Sequence, residues 1–275
     1  MKKKTVKLSA RELKRYSRNM LIKEWGGEKG QIKLKSSTVL VAGAGGSGSS
    51  LLYYLAAAGV GTIRVADGDK VAMDNLNRQI LHDEKRIGMN KAESAKVALS
   101  RLNSDIKIVP HPYYVTHKNI GELAKGCNII CCAADERNNH AGMKAINRFS
   151  YESGIPISWA GGVYMGGFAT FIQPPKTICI ECYLTTAYET AKAIKEGKIK
   201  VAETILPMVE PPNPIVGAAA GMAGALQAME TIKYLVGIDK NLLNVLLFFQ
   251  IGGKGATFQQ FDITKMKRPG CPYCG

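Results

Sequence analysis

Long uninterrupted apolar runs are missing from this 275-residue chain. The longest apolar stretch, residues 215–237, is broken by Gln227, Glu230 and Lys233, so it predicts a buried helix with one polar stripe and not a membrane span. The N-terminus is basic but has no apolar core, which predicts that it is not a signal peptide. We therefore expect a cytoplasmic protein that does not bind membranes.

Acidic residues are in short supply, because 22 Asp and Glu stand against 37 Lys and Arg, a formal net charge of +15. This balance favours an anionic partner, which includes nucleotides, nucleic acids, anionic lipids and acidic proteins. The interleaving of basic and aromatic residues that is typical of nucleic-acid platforms is missing, so a nucleic-acid partner is not expected. A hydrophobic content of 46% excludes a disordered chain.

Short apolar runs alternate with segments of helical periodicity up to about residue 160. This alternation predicts an α/β fold with a doubly wound, Rossmann-like, mostly parallel sheet. After residue 161 the pattern changes, and antiparallel strands are expected to continue the sheet. Two helices (10–24 and 28–35) are predicted before the sheet, and a polar, proline-rich loop (184–214), a long helix (215–236) and a hairpin around Gly252-Gly253 are predicted after it.

We expect a single domain over residues 1–275 with three parts. Residues 10–36 form the N-terminal helices, residues 37–160 a nucleotide-binding half, and residues 161–275 a half that faces a partner.

A glycine-rich turn joins the first predicted strand to a helix predicted to begin at Ser49. Glycines lack Cβ atoms and so let backbone N–H groups approach a phosphate or ribose, while the helix N-terminus adds a positive field. Asp67 ends the next strand, at the usual spacing for an acceptor to ribose hydroxyls. A tight turn that serves packing alone is the alternative. The glycines concerned are Gly43, Gly45, Gly46 and Gly48.

The residues that follow Asp67 favour ATP over NAD. Residues 74–79 supply amides and a guanidinium, Lys91 begins a predicted helix, and Asp135 follows a buried strand. Arg and Lys neutralise triphosphate charge, and an Asp at the carboxyl end of a strand can hold Mg²⁺. A hydride-transfer site needs no such set. Taken singly, each residue could instead be a solvated charge or part of a local ion pair.

Two CxxC pairs lie far apart in the chain. Four thiolates at this spacing can close a tetrahedral structural Zn²⁺ site, which would hold the C-terminal tail against the start of the polar segment. Free or redox cysteines are the alternative. The other three cysteines are predicted to be small core residues, and the four histidines show no ligand spacing. The predicted zinc ligands are Cys179, Cys182, Cys271 and Cys274.

Taken in chain order, these motifs resemble the ThiF/MoeB/HesA group, the prokaryotic relatives of ubiquitin-activating enzymes. The resemblance extends from about residue 12 to the end of the chain. The matching motifs are Arg15-Tyr-Ser-Arg18, Gly43-Ala-Gly-Gly-Ser-Gly48, Asp67-Gly-Asp69, Asn75-Leu-Asn-Arg-Gln79, Gly88-Met-Asn-Lys91, Asp135 and the paired CxxC motifs.

The resemblance implies an ATP-dependent adenylyltransferase. Such enzymes attach AMP to the C-terminal glycine carboxylate of a small ubiquitin-like sulfur carrier, which ends in Gly-Gly, and release pyrophosphate. It also implies that Arg18 reaches the ATP of a neighbouring subunit, so that the enzyme is a homodimer. The implied roles are nucleotide binding for Gly46, ribose binding for Asp67, nucleotide and phosphate contacts for Asn75 and Arg78, a phosphate grip for Lys91 and Mg²⁺ binding for Asp135; Asp69 and Gln79 belong to the binding motifs.

One feature departs from part of that group. Relatives that form a thioester or persulfide carry a cysteine between the first CxxC pair and the long helix, whereas residues 183–221 contain none. We therefore expect adenylylation without a covalent cysteine step on that segment, and a separate sulfur donor. The same departure leaves another peptide C-terminus open as the acceptor. A tRNA acceptor is a separate alternative, and an NAD-binding dehydrogenase is the more distant one.

Overall fold

A computed structural model describes residues 6–134, 141–198, 214–238, 241–252 and 255–275 of the protein. Its strands are β1 (Thr38–Ala42), β2 (Thr62–Ala66), β3 (Lys107–His111), β4 (Ile129–Cys132), β5 (Ile157–Val163), β6 (Gly166–Ile172), β7 (Val245–Gly252) and β8 (Gly255–Asp262). Its α-helices are α1 (Ala10–Arg15), α2 (Ser17–Met20), α3 (Glu28–Lys35), α4 (Gly46–Ala58), α5 (Lys91–Leu102), α6 (Ile120–Leu123), α7 (Ala141–Ser153), α8 (Ile180–Lys195) and α9 (Gly217–Val236).

All eight strands form one sheet in the order β3-β2-β1-β4-β5-β6-β7-β8. The strands from β3 to β5 pair in parallel, and β5 to β8 pair in antiparallel fashion. The sheet order turns back at β1, which pairs with β2 on one side and β4 on the other. In such sheets a ligand binds in the crevice outside the carboxyl ends of the strands at this switch point. The predicted fold class, a doubly wound sheet continued by antiparallel strands, is confirmed.

Both faces of the parallel part of the sheet are covered. Along β1, Val39 and Val41 belong to the core that packs against α3, α4, α5 and α9, while Leu40 and Ala42 belong to the core on the opposite face. Side chains of a strand alternate between its faces, so a strand with two covered faces is a continuous apolar run. This is why a short run without alternation predicted a buried strand here.

The long predicted helix is confirmed as α9, which packs closely along α4. A Cβ added to Gly224 would lie 2.0 Å from Ser47 O, so only glycine permits this approach. Ser50 Oγ also donates to Gly221 O at 2.8 Å. The two helices therefore meet at the N-terminal end of α4, where the glycine-rich turn lies. Within the described ranges, no helix, α9 included, has both the length and the apolar composition needed to cross a bilayer.

Two predictions about helices are wrong. The predicted helix over 10–24 is broken at Tyr16, whose ring is buried and whose hydroxyl accepts a hydrogen bond from Asn103 Nδ2 at 2.9 Å. The predicted loop over 184–214 is helical up to residue 195, because Tyr183 and Leu184 pack against the core and the segment is rich in good helix formers. Residues 199–213 lie outside the described residues.

Candidate nucleotide site and cysteine cluster

The glycine-rich turn runs directly into α4, which begins at Gly46 and not at the predicted Ser49. The backbone N–H groups of residues 45–48 donate to no acceptor in the described part of the chain. The first N–H groups of a helix have no partner within the helix, and the helix dipole makes that end positive. The turn and the first turn of α4 therefore form a row of donors suited to an anion.

The four positions of the turn hold glycine for different physical reasons. Gly43 has φ +103°, and an added Cβ would lie 2.5 Å from Ala133 O, so this position requires glycine. An added Cβ on Gly48 would lie 2.2 Å from Gly43 O, and one on Gly46 would lie 3.0 Å from Ala220 Cβ. At Gly45 the nearest atom would be Gln79 Nε2 at 3.7 Å, an ordinary contact distance. Packing thus explains Gly43 and Gly48 but not Gly45.

Asp67 supports the turn from the end of β2. Its Oδ2 accepts from Ala44 N–H and its Oδ1 from Asp69 N–H, each at 2.8 Å. Asp67 is only 8% exposed. Burial raises the pKa of this carboxyl, although the two hydrogen bonds and the charge of Lys91 act in the opposite direction. Because a carboxylate offers about four lone-pair positions, it retains capacity for a ribose hydroxyl.

Lys91, the predicted phosphate ligand, lies at the start of α5 and is 3% exposed. Its Nζ pairs with Asp69 Oδ2 at 3.0 Å, and the hydroxyl of Tyr114 donates to the other oxygen of the same carboxylate. Asp69 therefore holds the ammonium group near the carboxyl end of β2. The motifs left the role of Asp69 open, and this ion pair with Lys91 explains it structurally.

The segment from Asn75 to Gln79 lies beside the turn. The stem of Arg78 would be 3.6 Å from a Cβ on Gly46, and its Nη1 donates to Asp74 O at 2.9 Å. Asn75 is buried, and its Nδ2 donates to Asp74 Oδ1 at 3.0 Å. Gln79 is buried as well, and its Oε1 has no partner in the described residues. The segment thus presents a cation and an unsatisfied amide at the turn.

Two of the predicted site residues are not placed at this site. Arg18 is exposed on α2, and its side chain makes no hydrogen bond or ion pair within the described ranges. Asp135 lies outside the described residues. The structure brings together the remaining predicted residues: Gly43, Gly45, Gly46, Gly48, Asp67, Asp69, Asn75, Arg78, Gln79 and Lys91.

His82 lies beside these residues, and the sequence did not single it out. Its ring is buried against Ala44 of the turn and Ser94 of α5. The absence of ligand spacing had predicted an ordinary surface or core histidine, and burial agrees with the second. Its place three residues after Gln79 is the only sequence signal, because a buried hydrogen-bonded histidine has no periodic signature.

The four predicted zinc ligands come together at the other end of the sheet. Their sulfur atoms all lie within 4.8 Å of one another, with Cys179 to Cys271 and Cys182 to Cys274 at 3.6 Å. A disulfide requires about 2.05 Å, whereas four sulfurs at ~2.3 Å around a tetrahedral zinc would be about 3.8 Å apart. The spacing therefore fits a metal-binding set of thiolates.

The polypeptide around the cluster acts on the thiols in opposite directions, because burial raises the pKa of Cys179 and Cys182 while backbone N–H groups lower that of Cys271. Cys182 N–H and Arg268 N–H point at Cys179 Sγ and Cys182 Sγ, each at 3.4 Å. Burial raises the pKa of Cys182 to about 11. Burial also acts on Cys271, but the N–H groups of Cys274 and Tyr273 outweigh it and lower the pKa of that thiol to about 7. The remaining cysteines, Cys127, Cys131 and Cys132, are buried in the core, as predicted.

Residues 16–273 match the ThiF family. The chain belongs to the ThiF family. This confirms the resemblance inferred from the motifs. It also agrees with the geometry, since the match includes the glycine-rich turn and three of the four cysteines of the cluster, Cys179, Cys182 and Cys271.

Two curated relatives of this ThiF-family chain are adenylyltransferase and sulfurtransferase proteins. It is 34% identical over 237 residues to UBA4 of Saccharomyces cerevisiae and 32% identical over 276 residues to MOCS3 of Drosophila persimilis. The alignments cover 85% and 98% of this chain but 50% and 55% of those proteins. The chain thus spans about half the length of the curated relatives it matches.

Solved structures of E. coli MccB are similar to this chain. The complex with ATP has a TM-score of 0.70 at 26% identity and covers 95% of this chain and 74% of MccB. The complex with MccA-N7isoASN has a TM-score of 0.75 at 25% identity and covers 98% and 75%. PaaA shares the fold of this chain, with a TM-score of 0.73 at 20% identity. The comparison covers 96% of this chain and 77% of PaaA.

Proposed function

We propose that this chain is an ATP-dependent adenylyltransferase, which transfers AMP to a C-terminal carboxylate and releases pyrophosphate. The observation that carries this proposal is the row of four backbone N–H groups, residues 45–48, that donate to no acceptor in the described residues. Arg78 packs against Gly46, and Lys91 is connected to the turn through Asp69 and Asp67. Family membership and the names of the curated relatives support the same activity.

The reaction suits a site of this kind. The carboxylate of the acceptor attacks the α-phosphorus, an acyl–phosphate bond forms, and the bond to pyrophosphate breaks. Neither a protein nucleophile nor a strong general base is needed, because the attacking group is already an anion. What the step needs is positioning and compensation of charge on the phosphates. The N–H row, Arg78 and Lys91 would provide both, and Asp67 would orient the ribose.

Asp135 is proposed to hold Mg²⁺, which would neutralise phosphate charge when bound. The support is the path of the chain up to that residue. A Cβ added to Gly43 would lie 2.7 Å from Ala134 Cα, so Ala134, the last described residue before Asp135, lies beside the glycine-rich turn.

A homodimer is proposed, in which Arg18 reaches the phosphates of the ATP bound by the partner. An arginine that is exposed and has no partner within the described ranges is free to make such a contact. An arginine forms bidentate contacts with phosphate oxygens, which a lysine does not.

The proposed acceptor is a small ubiquitin-like sulfur carrier that ends in Gly-Gly and binds to the half formed by residues 161–275. The sulfurtransferase names of the curated relatives support a sulfur carrier. Since residues 183–221 lack cysteine, we propose adenylylation without a covalent step there and a separate sulfur donor. A different acceptor, such as a peptide, is the second candidate, because solved MccB structures contain MccA. Family membership weighs against a dehydrogenase.

The four cysteines are proposed to hold one structural Zn²⁺. Four thiolates complete its tetrahedral coordination and leave no open position for a substrate, so the ion would act in folding and not in catalysis.

Exchange of labelled pyrophosphate into ATP tests the proposed activity. We expect exchange when a purified carrier protein ending in Gly-Gly is added, and none with the same carrier lacking its last two glycines. A short peptide with a free carboxylate, assayed in parallel, tests the second candidate. Failure to bind MgATP in calorimetry, together with no exchange for either acceptor, would contradict the proposal.

A further inference from the structure

Three segments of the candidate nucleotide site meet at His82, whose side chain is 6% exposed. Its backbone N–H donates to Gln79 O at 3.0 Å. Its ring lies between the glycine-rich turn and α5, with Nε2 2.9 Å from Ala44 O and Nδ1 2.8 Å from Ser94 Oγ. Ser94 is one helical turn after Lys91, so the ring connects the turn to the helix that carries the lysine.

The two ring contacts define one tautomer. A carbonyl oxygen only accepts hydrogen bonds, so Nε2 carries a proton and donates it to Ala44 O. In the neutral ring Nδ1 then accepts from the hydroxyl of Ser94. Burial lowers the pKa of His82 to about 4, and the nearby cations Arg86 and Lys91 act in the same direction. Near neutral pH, the ring is therefore neutral and both of its nitrogens have partners.

The contact with Ala44 sets the orientation of the next peptide group. The N–H of Ala44 donates to Asp67 Oδ2 at 2.8 Å, while its carbonyl accepts from His82. In a trans peptide the C=O and N–H bonds point in opposite directions, so the N–H of Gly45 is turned away from His82. This N–H is the first of the four that donate to no acceptor in the described residues.

We propose that His82 is a positioning residue for nucleotide binding. Through Nε2–H it fixes the peptide group between Ala44 and Gly45 so that Gly45 N–H can donate to a phosphate. Through Ser94 it holds the glycine-rich turn against the helix of Lys91. This inference rests on the proposed ATP site and adds to it a residue that acts through the turn and the helix.

Three substitutions separate the two ring contacts. His82→Phe keeps a ring of similar size but removes both hydrogen bonds. His82→Gln places an amide N–H near the position of Nε2 and can still donate to Ala44 O, whereas His82→Asn reaches only the position of Nδ1. For each variant we would measure the Kd of ATP by calorimetry, KM and kcat for pyrophosphate exchange, and the melting temperature.

We expect His82→Phe and His82→Asn to raise the Kd and KM of ATP about tenfold, because both variants lose the hydrogen bond to Ala44 O that orients the turn. Their kcat should change less than about twofold, because only binding shared by substrate and transition state is lost. His82→Gln should bind ATP like the wild type, which a merely structural role would not require.

An unchanged ATP affinity of folded His82→Phe, with only a lower melting temperature, would overturn the inference. If His82→Phe does not fold, the Gln and Asn variants decide, and equal affinities in those two would overturn it. If the wild type itself bound no ATP, the proposed function would fail, and the role of His82 with it.

Discussion

The glycine-rich turn and the cysteine cluster are stabilised in different ways. At the glycine-rich turn, hydrogen bonds with the buried side chains of Asp67 and His82 fix the backbone. The close packing of α4 against α9 fixes it further. At the cysteine cluster, Ile180 reaches the large core of the sheet, but the second adjoining core has only three buried residues, Ile178, Leu246 and Ile263, and every residue of β8 is exposed.

This difference shows where stability must come from at each end. A large core fixes the nucleotide end whether or not a ligand is bound. A small core rarely suffices by itself, and natural proteins then add a metal or disulfides. We therefore expect the cysteine end to depend on its four thiolates, while the nucleotide end depends on packing.

Removal of the metal should have the largest effect on this contrast. Because four thiolates complete the coordination of one tetrahedral zinc, the wild type should contain about one Zn²⁺ per chain. Cys271→Ser should lose this ion. Since a structural zinc contributes on the order of 10 kcal/mol in small domains, amide hydrogen exchange should rise strongly in residues 264–275 and at the start of α8. The glycine-rich turn should stay protected. Cys127→Ala, which alters a thiol outside the cluster, should keep its zinc; a folded, zinc-free wild type would refute the assignment.

The next largest effect concerns catalysis. Arg78→Ala should lower pyrophosphate exchange by roughly 10²–10³-fold, which is about 3–4 kcal/mol of transition-state stabilisation from one charged donor. Circular dichroism and the zinc content should not change, because among the described residues the guanidinium donates only to its own segment, to Asp74 O and Asn77 Oδ1. Arg101→Ala, an exposed arginine at the end of α5, serves as the matched control. Wild-type exchange in Arg78→Ala would exclude this role.

A third prediction uses the pH dependence of the nucleotide end. Burial lowers the pKa of His82 from 6.5 to about 4, with Arg86 and Lys91 adding to the effect and Asp83 opposing it. The unfolded state thus takes up a proton at higher pH than the folded state. The contribution of neutral His82 to the free energy of unfolding is therefore fully present above about pH 6.5. It is lost as the pH falls to 4, which lowers the free energy of unfolding by about 3 kcal/mol.

Urea denaturation measured from pH 7.5 to 4 checks this. His82→Phe should lack the His82 part of the decline, so its stability curve should be flatter than that of the wild type. Parallel curves for the two proteins would show that His82 is not the titrating group.

The smallest effect compares two glycines of one turn. Gly48→Ala should destabilise the fold by about 1–3 kcal/mol, because its Cβ would overlap Gly43 O and force the backbone to shift. Gly45→Ala meets no close atom and should leave the melting temperature nearly unchanged while weakening ATP binding. Equal stability losses in both variants would mean that packing explains the whole turn.

The parallel half of the fold was predictable from residues 37–160 because each buried strand is a short apolar run and each helix has its own periodicity. The cysteine cluster was predictable too, since CxxC spacing is a local pattern with few other uses. The helix α8 was not predicted, because its apolar residues are interspersed with Thr, Glu and Lys and a proline-rich segment follows it in the chain. The break at Tyr16 escaped prediction because its cause is a hydrogen bond to Asn103, 87 residues away.

The site divides in the same manner. Spacing indicated the glycines and Asp67, and residue chemistry together with the family resemblance added Arg78 and Lys91 to one predicted nucleotide site. Spacing could not distinguish Gly48, which is needed for packing, from Gly45, which is not, because both are simply glycine in the sequence.

By itself, the sequence determined the order of strands and helices, the chemistry of the turn and the four thiols, since these depend on local patterns and residue types. Only the tertiary structure decided other contacts across the fold: Lys91 with Asp69, His82 with Ala44, and Tyr16 with Asn103. The reason is that such contacts arise between segments far apart in the chain, and their geometry depends on how whole elements pack.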